Sequence, residues 1–283
     1  MTKNIEKISY LNKKYFFIKN LISYSLLIVF RIFKPVLRNQ KYVRKAQNFH
    51  RKIEFKIFKN LEFNQYTMYD NFEKNKILLN HDLIIGNNFL IRKKVYKILD
   101  KFIKKRKKNE LILELGSGNG RNLAYFAKKY KNLKYIGIDI SDTNYLTSIY
   151  FKNKFKINNL KFFKKDITLE KTFKNLKINP DLIFTCFAIE QIPYRFENVL
   201  ENIAKLQPEL LIFIEPFPEY QGLTLRGIST KLRAKSFSRI YRHKKLINDF
   251  KKKYNYKLLE EGKCGFGGNP FNEACKVILK KSN

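Results

Sequence analysis

From Leu111 onward, short apolar runs alternate with longer segments in which apolar residues recur every three or four positions. Short runs bounded by turn residues predict strands and the longer periodicity predicts helices, so the rhythm is that of βα units around a parallel sheet. Strands are predicted at Leu111–Leu115, Tyr135–Asp139, Leu160–Phe163, Leu182–Thr185 and Leu210–Glu215, with helices starting near Gly120, Asp142, Ile167 and Tyr194. A further helix is predicted within Lys231–Lys253, followed by strands at Tyr256–Glu261 and Ala274–Leu279. The glycine-rich turn Gly265–Pro270 separates these last two, which suits an antiparallel pair. The fold class is therefore α/β, a mostly parallel sheet of seven strands with helices on both faces.

Upstream, Phe89, Ile91, Val95, Ile98, Leu99 and Phe102 follow helical spacing and lead towards the first strand through the basic run Lys104–Lys108. The chain divides on this reading into a basic, helical N-terminal region, residues 1–105, and an α/β domain, residues 106–283, with a helical insertion around 218–253. Leu21–Phe33 is apolar apart from Ser23, Ser25 and Arg31, and basic residues precede it. It lacks a small-residue cleavage site and falls short of the roughly 20 residues of a spanning helix. Two readings remain for residues 19–33: a helix packed within the N-terminal region, or an interfacial helix on a membrane surface with Arg31, Lys34 and Arg38 at the headgroups.

Composition changes this picture in two ways. Phe and Tyr supply 26 and 17 side chains, enough aromatic bulk for a large core and against wholesale disorder. The formal net charge is +35, and the first 110 residues are the more basic part, with 27 basic against 8 acidic side chains. That balance favours polyanions, an anionic membrane or phosphorylated substrates, although an AT-rich coding bias towards Lys, Asn, Ile and Phe explains it equally well. The three cysteines form no CxxC pair and the three histidines stand far apart, so no metal site is predicted and a reducing, cytoplasmic setting is the expectation.

The sharpest local signal is LILELGSGNGRN, where a buried-strand run ends in Glu114 and Leu115 before Gly116, Gly118 and Gly120 open a helix. Glycines at such a turn let a backbone approach a bound ligand closely. Arg121 stands where the dinucleotide fingerprint requires its third glycine, which disfavours a pyrophosphate ligand. The next apolar run, YIGIDI, places Asp139 at a strand's carboxyl end, where an acid can accept from both hydroxyls of a ribose. After the third run come Asp166 and Ile167; Asp166 suits either an adenine amine or the cap of the following helix. Ligands in open α/β sheets bind outside the strand carboxyl ends, so these segments converge on one crevice.

In these motifs the stretch Leu111–Leu279 resembles the class I S-adenosylmethionine-dependent methyltransferases, whose Rossmann-like sheet has seven strands with an antiparallel last strand. The resemblance implies S-adenosyl-L-methionine as cofactor. It places Glu114, Gly116, Gly118 and Gly120 at the methionine part, Asp139 at the ribose, and Asp166 with Ile167 at the adenine. PDLIFTCFAIEQIP, Pro180–Pro193, is similar to the family's fourth-strand stretch ending in LEH-I-P, with Ile189, Glu190 and Gln191 at the LEH positions. Glutamine cannot replace the histidine as a base; Glu190, just past the fourth strand, suits either a catalytic acid that orients or deprotonates a hydroxyl or a structural one, and Glu215, ending the fifth strand, suits either substrate contact or a conformational role. The Asn-Pro-Pro-Tyr of base amino-methyltransferases is absent, and Asn269-Pro270-Phe271 reads as turn chemistry.

These motifs leave the acceptor open. The first expectation is methyl transfer, at oxygen, to a small-molecule, sugar or lipid-linked glycan acceptor near the cytoplasmic membrane face. Net charge alone supports nucleic acid, as an RNA acceptor, and a non-catalytic polyanion- or membrane-binding protein on the same fold is the third reading.

Overall fold

Strands that are apolar on both sides must lie between two helical layers, and the central strands do. The computed structural model describes residues 6–33, 55, 59–68, 75–192, 196–236 and 242–282. The parallel core comprises β4 (Leu111–Leu115), β5 (Lys134–Asp139), β6 (Leu160–Lys164), β7 (Leu182–Cys186) and β8 (Leu210–Glu215), each followed by a helix. β9 (Tyr256–Lys263) and β11 (Cys275–Lys281) complete a seven-stranded sheet of order β6-β5-β4-β7-β8-β11-β9, in which β11 runs antiparallel to both neighbours. This Rossmann-like sheet, antiparallel at its last strand, is the one the sequence predicts.

Alternation along each strand sends neighbours to opposite layers. In β4, Ile112 joins the cluster covered by α3 (Phe89–Ile103), α4 (Arg121–Lys129) and α5 (Asp142–Lys154), whereas Leu113 and Leu115 face α6 (Glu170–Leu176), α7 (Phe196–Leu206) and α9 (His243–Lys253). Leu99, Phe126 and Phe151 fill the first layer; Phe173, Ile203 and Phe250 fill the second. Because strand order reverses between β4 and β7, the loops leaving those two strands diverge and open a crevice.

Two regions depart from the sequence reading. The helical N-terminal region also contains a hairpin of β2 (Asn75–Leu79) and β3 (Asp82–Gly86), turned by Asn80 and His81 at φ 51° and 64°. Its short, apolar, weakly alternating strands are hard to separate from a helical segment by periodicity. With β1 (Glu6–Lys7) and β10 (Phe266–Gly267) they make a second sheet of order β1-β3-β2-β10. β10 lies inside the segment read as a plain turn. Second, one helix expected within Lys231–Lys253 is two, α8 (Leu225–Ser236) and α9. The helix placed at Ile167 starts at Glu170, after a turn that uses Asp166.

The apolar N-terminal stretch belongs to a longer helix, α1 (Tyr10–Phe33), which packs along α8 and sets Phe16, Phe17 and Tyr24 around the Phe271 ring. A shorter helix, α2 (Phe63–Met68), lies against α4 and stacks Tyr66 on Phe151 at 3.8 Å between ring centres. Lys34, Arg38, Pro193 and Tyr194 lie outside the described residues.

Candidate active site

The loop after β4 is shaped by glycines that do different work. Gly116 and Gly120 have φ of 71° and 81° and are also hemmed in: an added Cβ would stand 2.4 Å from Ala188 Cβ in the first case and 2.4 Å from the Phe162 ring in the second. Gly118, at φ 56°, faces open space, with nothing within 4 Å of such a Cβ. Backbone conformation requires glycine at all three, but only Gly118 leaves room for a ligand against the chain. Gly120 serves helix-to-strand packing and is absent from the cavity wall.

That wall encloses about 530 Å³ and brings together Glu114, Gly116, Gly118, Asp139, Asp166, Ile167 and Glu190. Its size lies within the range of small-ligand sites, roughly 300–1,000 Å³. Asp139 is buried at the end of β5. Its Oδ2 accepts from the Gly118 amide at 2.8 Å, and its Oδ1 accepts from the Ser141 amide at 2.8 Å and from Asn144 Nδ2 at 3.1 Å. The next helix is capped by Ser141, whose Oγ accepts from the Asn144 amide at 3.2 Å. Asp139 is therefore a loop-fastening acid on the cavity wall and not a cap. Asp166 does make a turn of the capping kind, its Oδ1 accepting from the Thr168 amide at 2.9 Å and hydroxyl at 2.8 Å.

Glu114 is the buried carboxyl at the end of β4. It is 1% exposed, and its Oε1 accepts from Asn122 Nδ2 at 2.7 Å while Oε2 is buried with no hydrogen-bond partner. Burial pushes its carboxyl up to about 8, and the Asn122 bond and the Arg92 charge pull the other way. A buried acceptor of this kind costs stability. Its presence at the cavity marks a place for a donor or cation from outside. The Asn119 side-chain nitrogen, on the same wall, is likewise buried without a partner.

A neighbouring part of the wall follows β7. Ala188 and the buried Glu190 lead a short 3-10 turn, Ile189–Gln191, held by Glu215 at the end of β8. Glu215 accepts from the Ala188 amide at 3.0 Å and the Glu190 amide at 3.4 Å, and burial raises its carboxyl to about 7. Glu215 thus holds the Glu190 turn by two amides and is not part of the cavity wall.

Several wall residues carry no sequence signal of their own. Arg92 of α3 donates to Asn122 Oδ1 at 2.9 Å, linking a helix before the domain to Glu114 through one amide. Tyr66 donates its hydroxyl to the Asn119 carbonyl, so α2 holds the glycine loop from above. Gly268, Asn269 and Asn272, from the loop between β9 and β11, close the far end. His243, buried with its ring 4.7 Å from that of Phe217, shares with Glu190, Arg233, Phe271 and Asn272 a void of about 10 Å³ beside the main cavity. The Asn269-Pro270-Phe271 motif does form a turn, since Asn269 Oδ1 accepts from the Phe271 amide at 3.0 Å, yet it also reaches the cavity. Its spacing in sequence gave no hint of that.

A family profile described as "Methyltransferase domain" matches residues 113–207, the part that contains the glycine loop, Asp139, Asp166 and Glu190. No curated protein matches the chain in sequence. Among solved structures, magnesium protoporphyrin IX methyltransferase from Synechocystis PCC 6803 with bound S-adenosylmethionine is 12% identical. The match covers 88% of this chain and 100% of that one, with a TM-score of 0.57. Phosphoethanolamine N-methyltransferase 2 of Haemonchus contortus, bound to phosphomonomethylethanolamine and S-adenosylhomocysteine, is 14% identical over 70% of this chain and 55% of that one, with a TM-score of 0.51. At these identities the likeness is one of fold.

Proposed function

We propose, from the methyltransferase-domain profile that matches residues 113–207 and the cavity behind it, that the chain is a class I S-adenosylmethionine-dependent methyltransferase acting on a hydroxyl oxygen of a small-molecule, sugar or lipid-linked acceptor. The observation that carries this reading is the burial of Glu190 on the wall that also holds Asp139 and the glycine loop. One cavity then holds both the groups suited to the cofactor and a carboxylate able to accept a hydroxyl proton.

The residues present fit the cofactor. Gly118 leaves space against the loop, the orphaned Glu114 Oε2 suits an ammonium group, and the orphaned Asn119 nitrogen suits a carboxylate. Asp139 would accept from the ribose hydroxyls, and Asp166 with Ile167 would border the adenine. When bound, S-adenosylmethionine supplies an electrophilic methyl group. The protein's part is to hold the acceptor oxygen in line with it and exclude water, which by itself gives a large share of the rate. Glu215, by fastening the Ala188 and Glu190 amides, fixes where Glu190 stands.

The test is transfer of labelled methyl from S-adenosylmethionine to panels of sugars, phosphorylated small molecules, lipid-linked glycans and RNA, with native protein and Glu190→Gln. Label on a hydroxyl of a small or lipid-linked acceptor, reduced roughly a hundredfold in kcat by the variant, is the expected result. Label on RNA alone, the outcome that the +35 charge favours, would replace this reading.

A further inference from the structure

Helix α1 has two apolar faces, and among the described residues the fold packs against only one. The inner face, with Phe16, Phe17 and Tyr24, packs on Phe271 and α8. The outer face carries Leu11, Tyr15, Ile18, Ile22, Leu26 and Val29, each three or four residues from the next, so they form one stripe along the helix. They are 39–75% exposed. A helix on the outside of a domain ordinarily turns polar side chains to water, and a continuous apolar stripe there marks a surface with a partner.

The charges beside the stripe identify what kind of partner fits. At 100° per residue, Lys14 falls on one border of the stripe and Lys19 on the other. No Asp or Glu occurs anywhere in α1, and the whole chain carries +35. Apolar side chains flanked on both sides by ammonium groups, with no carboxylate to repel phosphate, match the boundary between acyl chains and anionic headgroups. Crossing the bilayer is not the arrangement: among the described residues no helix is long and apolar enough to do so.

We propose that α1 lies flat on an anionic membrane surface, with the stripe from Leu11 to Val29 at the acyl boundary and Lys14 and Lys19 among the headgroups. The proposal goes beyond the methyl-transfer reading and does not depend on which acceptor is used.

The chain contains no tryptophan, so Ile22→Trp in the full chain places a single reporter in the stripe. Adding vesicles of phosphatidylcholine with phosphatidylglycerol at near-physiological salt shifts its emission to the blue, and lipids brominated on the acyl chain quench it. Vesicles of phosphatidylcholine alone bind roughly tenfold or more weakly, because the lysines then lose their headgroup partners. The double variant Ile18→Glu/Leu26→Glu keeps the native thermal midpoint and S-adenosylmethionine affinity, and loses at least roughly tenfold in vesicle binding as apolar area is removed. Emission already blue-shifted without vesicles would overturn the proposal, since the stripe would then be covered by this chain or by a second copy, which sedimentation equilibrium on dilution tells apart. So would vesicle binding that salt abolishes and the double variant leaves unchanged, because that is unspecific adsorption of a basic protein.

Discussion

The two ends of the cavity are built in opposite ways. At the proposed cofactor end each side chain sits within a few residues of the strand that positions it, and Asp139 fastens Gly118, Ser141 and Asn144 with bonds that are local in sequence or cross one βα unit. At the proposed acceptor end the wall is drawn from Asn88 ahead of α3, Glu190 after β7, and Gly268, Asn269 and Asn272 near the end of the chain. The first is chemistry attached to a scaffold. The second exists only when distant parts of the chain have met, so a substitution there is felt through packing as well as contact.

Substitutions can break or sharpen this contrast. The largest effect is expected at Gly120, where alanine adds left-handed backbone strain of about 1–2 kcal/mol and an overlap with Phe162 of about 1–3 kcal/mol. Thermal unfolding of Gly120→Ala would show the loss, and a second change, Phe162→Leu, should restore part of it; Gly118→Ala, with open space at its Cβ, should lose only the strain. Next comes Asp139→Ala. Two charge-assisted hydrogen bonds of about 1.5–3 kcal/mol each imply at least a hundredfold weaker binding of S-adenosylmethionine by calorimetry, and undiminished affinity would remove the ribose role.

Glu114 should give a smaller, pH-dependent effect. Its carboxyl is raised from 4.5 to about 8, so its contribution to folding is fully present below pH 4.5 and is lost as pH rises through about 8. An ammonium group from the ligand favours the ionised form, so between pH 5.5 and 7.5 cofactor affinity should rise with pH, up to tenfold per unit. The Glu114→Gln protein should show a flat profile over the same range; a profile unchanged by the substitution would place the titrating group elsewhere. Smallest is Tyr66→Phe. It removes one hydrogen bond to the Asn119 carbonyl, worth about 1 kcal/mol, and should weaken cofactor binding roughly fivefold without changing kcat.

The same contrast explains what could be read in advance. The seven strands of the main sheet were legible, the central ones because buried parallel strands need continuous apolar runs, and LILEL, YIGID and LIFTC are such runs. Asp139 and the glycines were legible because a strand end and a tight turn leave fixed marks in sequence. The β2–β3 hairpin was not, since IL and LII fit a helical face as well as a strand. Arg92, Tyr66 and Asn272 were invisible for a different reason. Arg92 and Asn272 line the cavity and Tyr66 holds its glycine loop, each through the tertiary fold, Arg92 across 30 residues to Asn122 and Tyr66 across 53 to Asn119. No local pattern records such a separation.

The pairing of β10 with β2 sets an order of events during synthesis. Residues 75–86 leave the ribosome early with Ile77 and Leu78 apolar, while Phe266 and Gly267, which complete their sheet through Leu79 and Leu78, arrive almost 190 residues later. Throughout that interval the growing chain holds an unfinished edge, the kind of surface that non-native pairing exploits. The glycine loop and Asp139 emerge well before the chamber can shut. A ligand meeting the nascent polypeptide would find its binding groups in place but one wall missing until Asn272 is made.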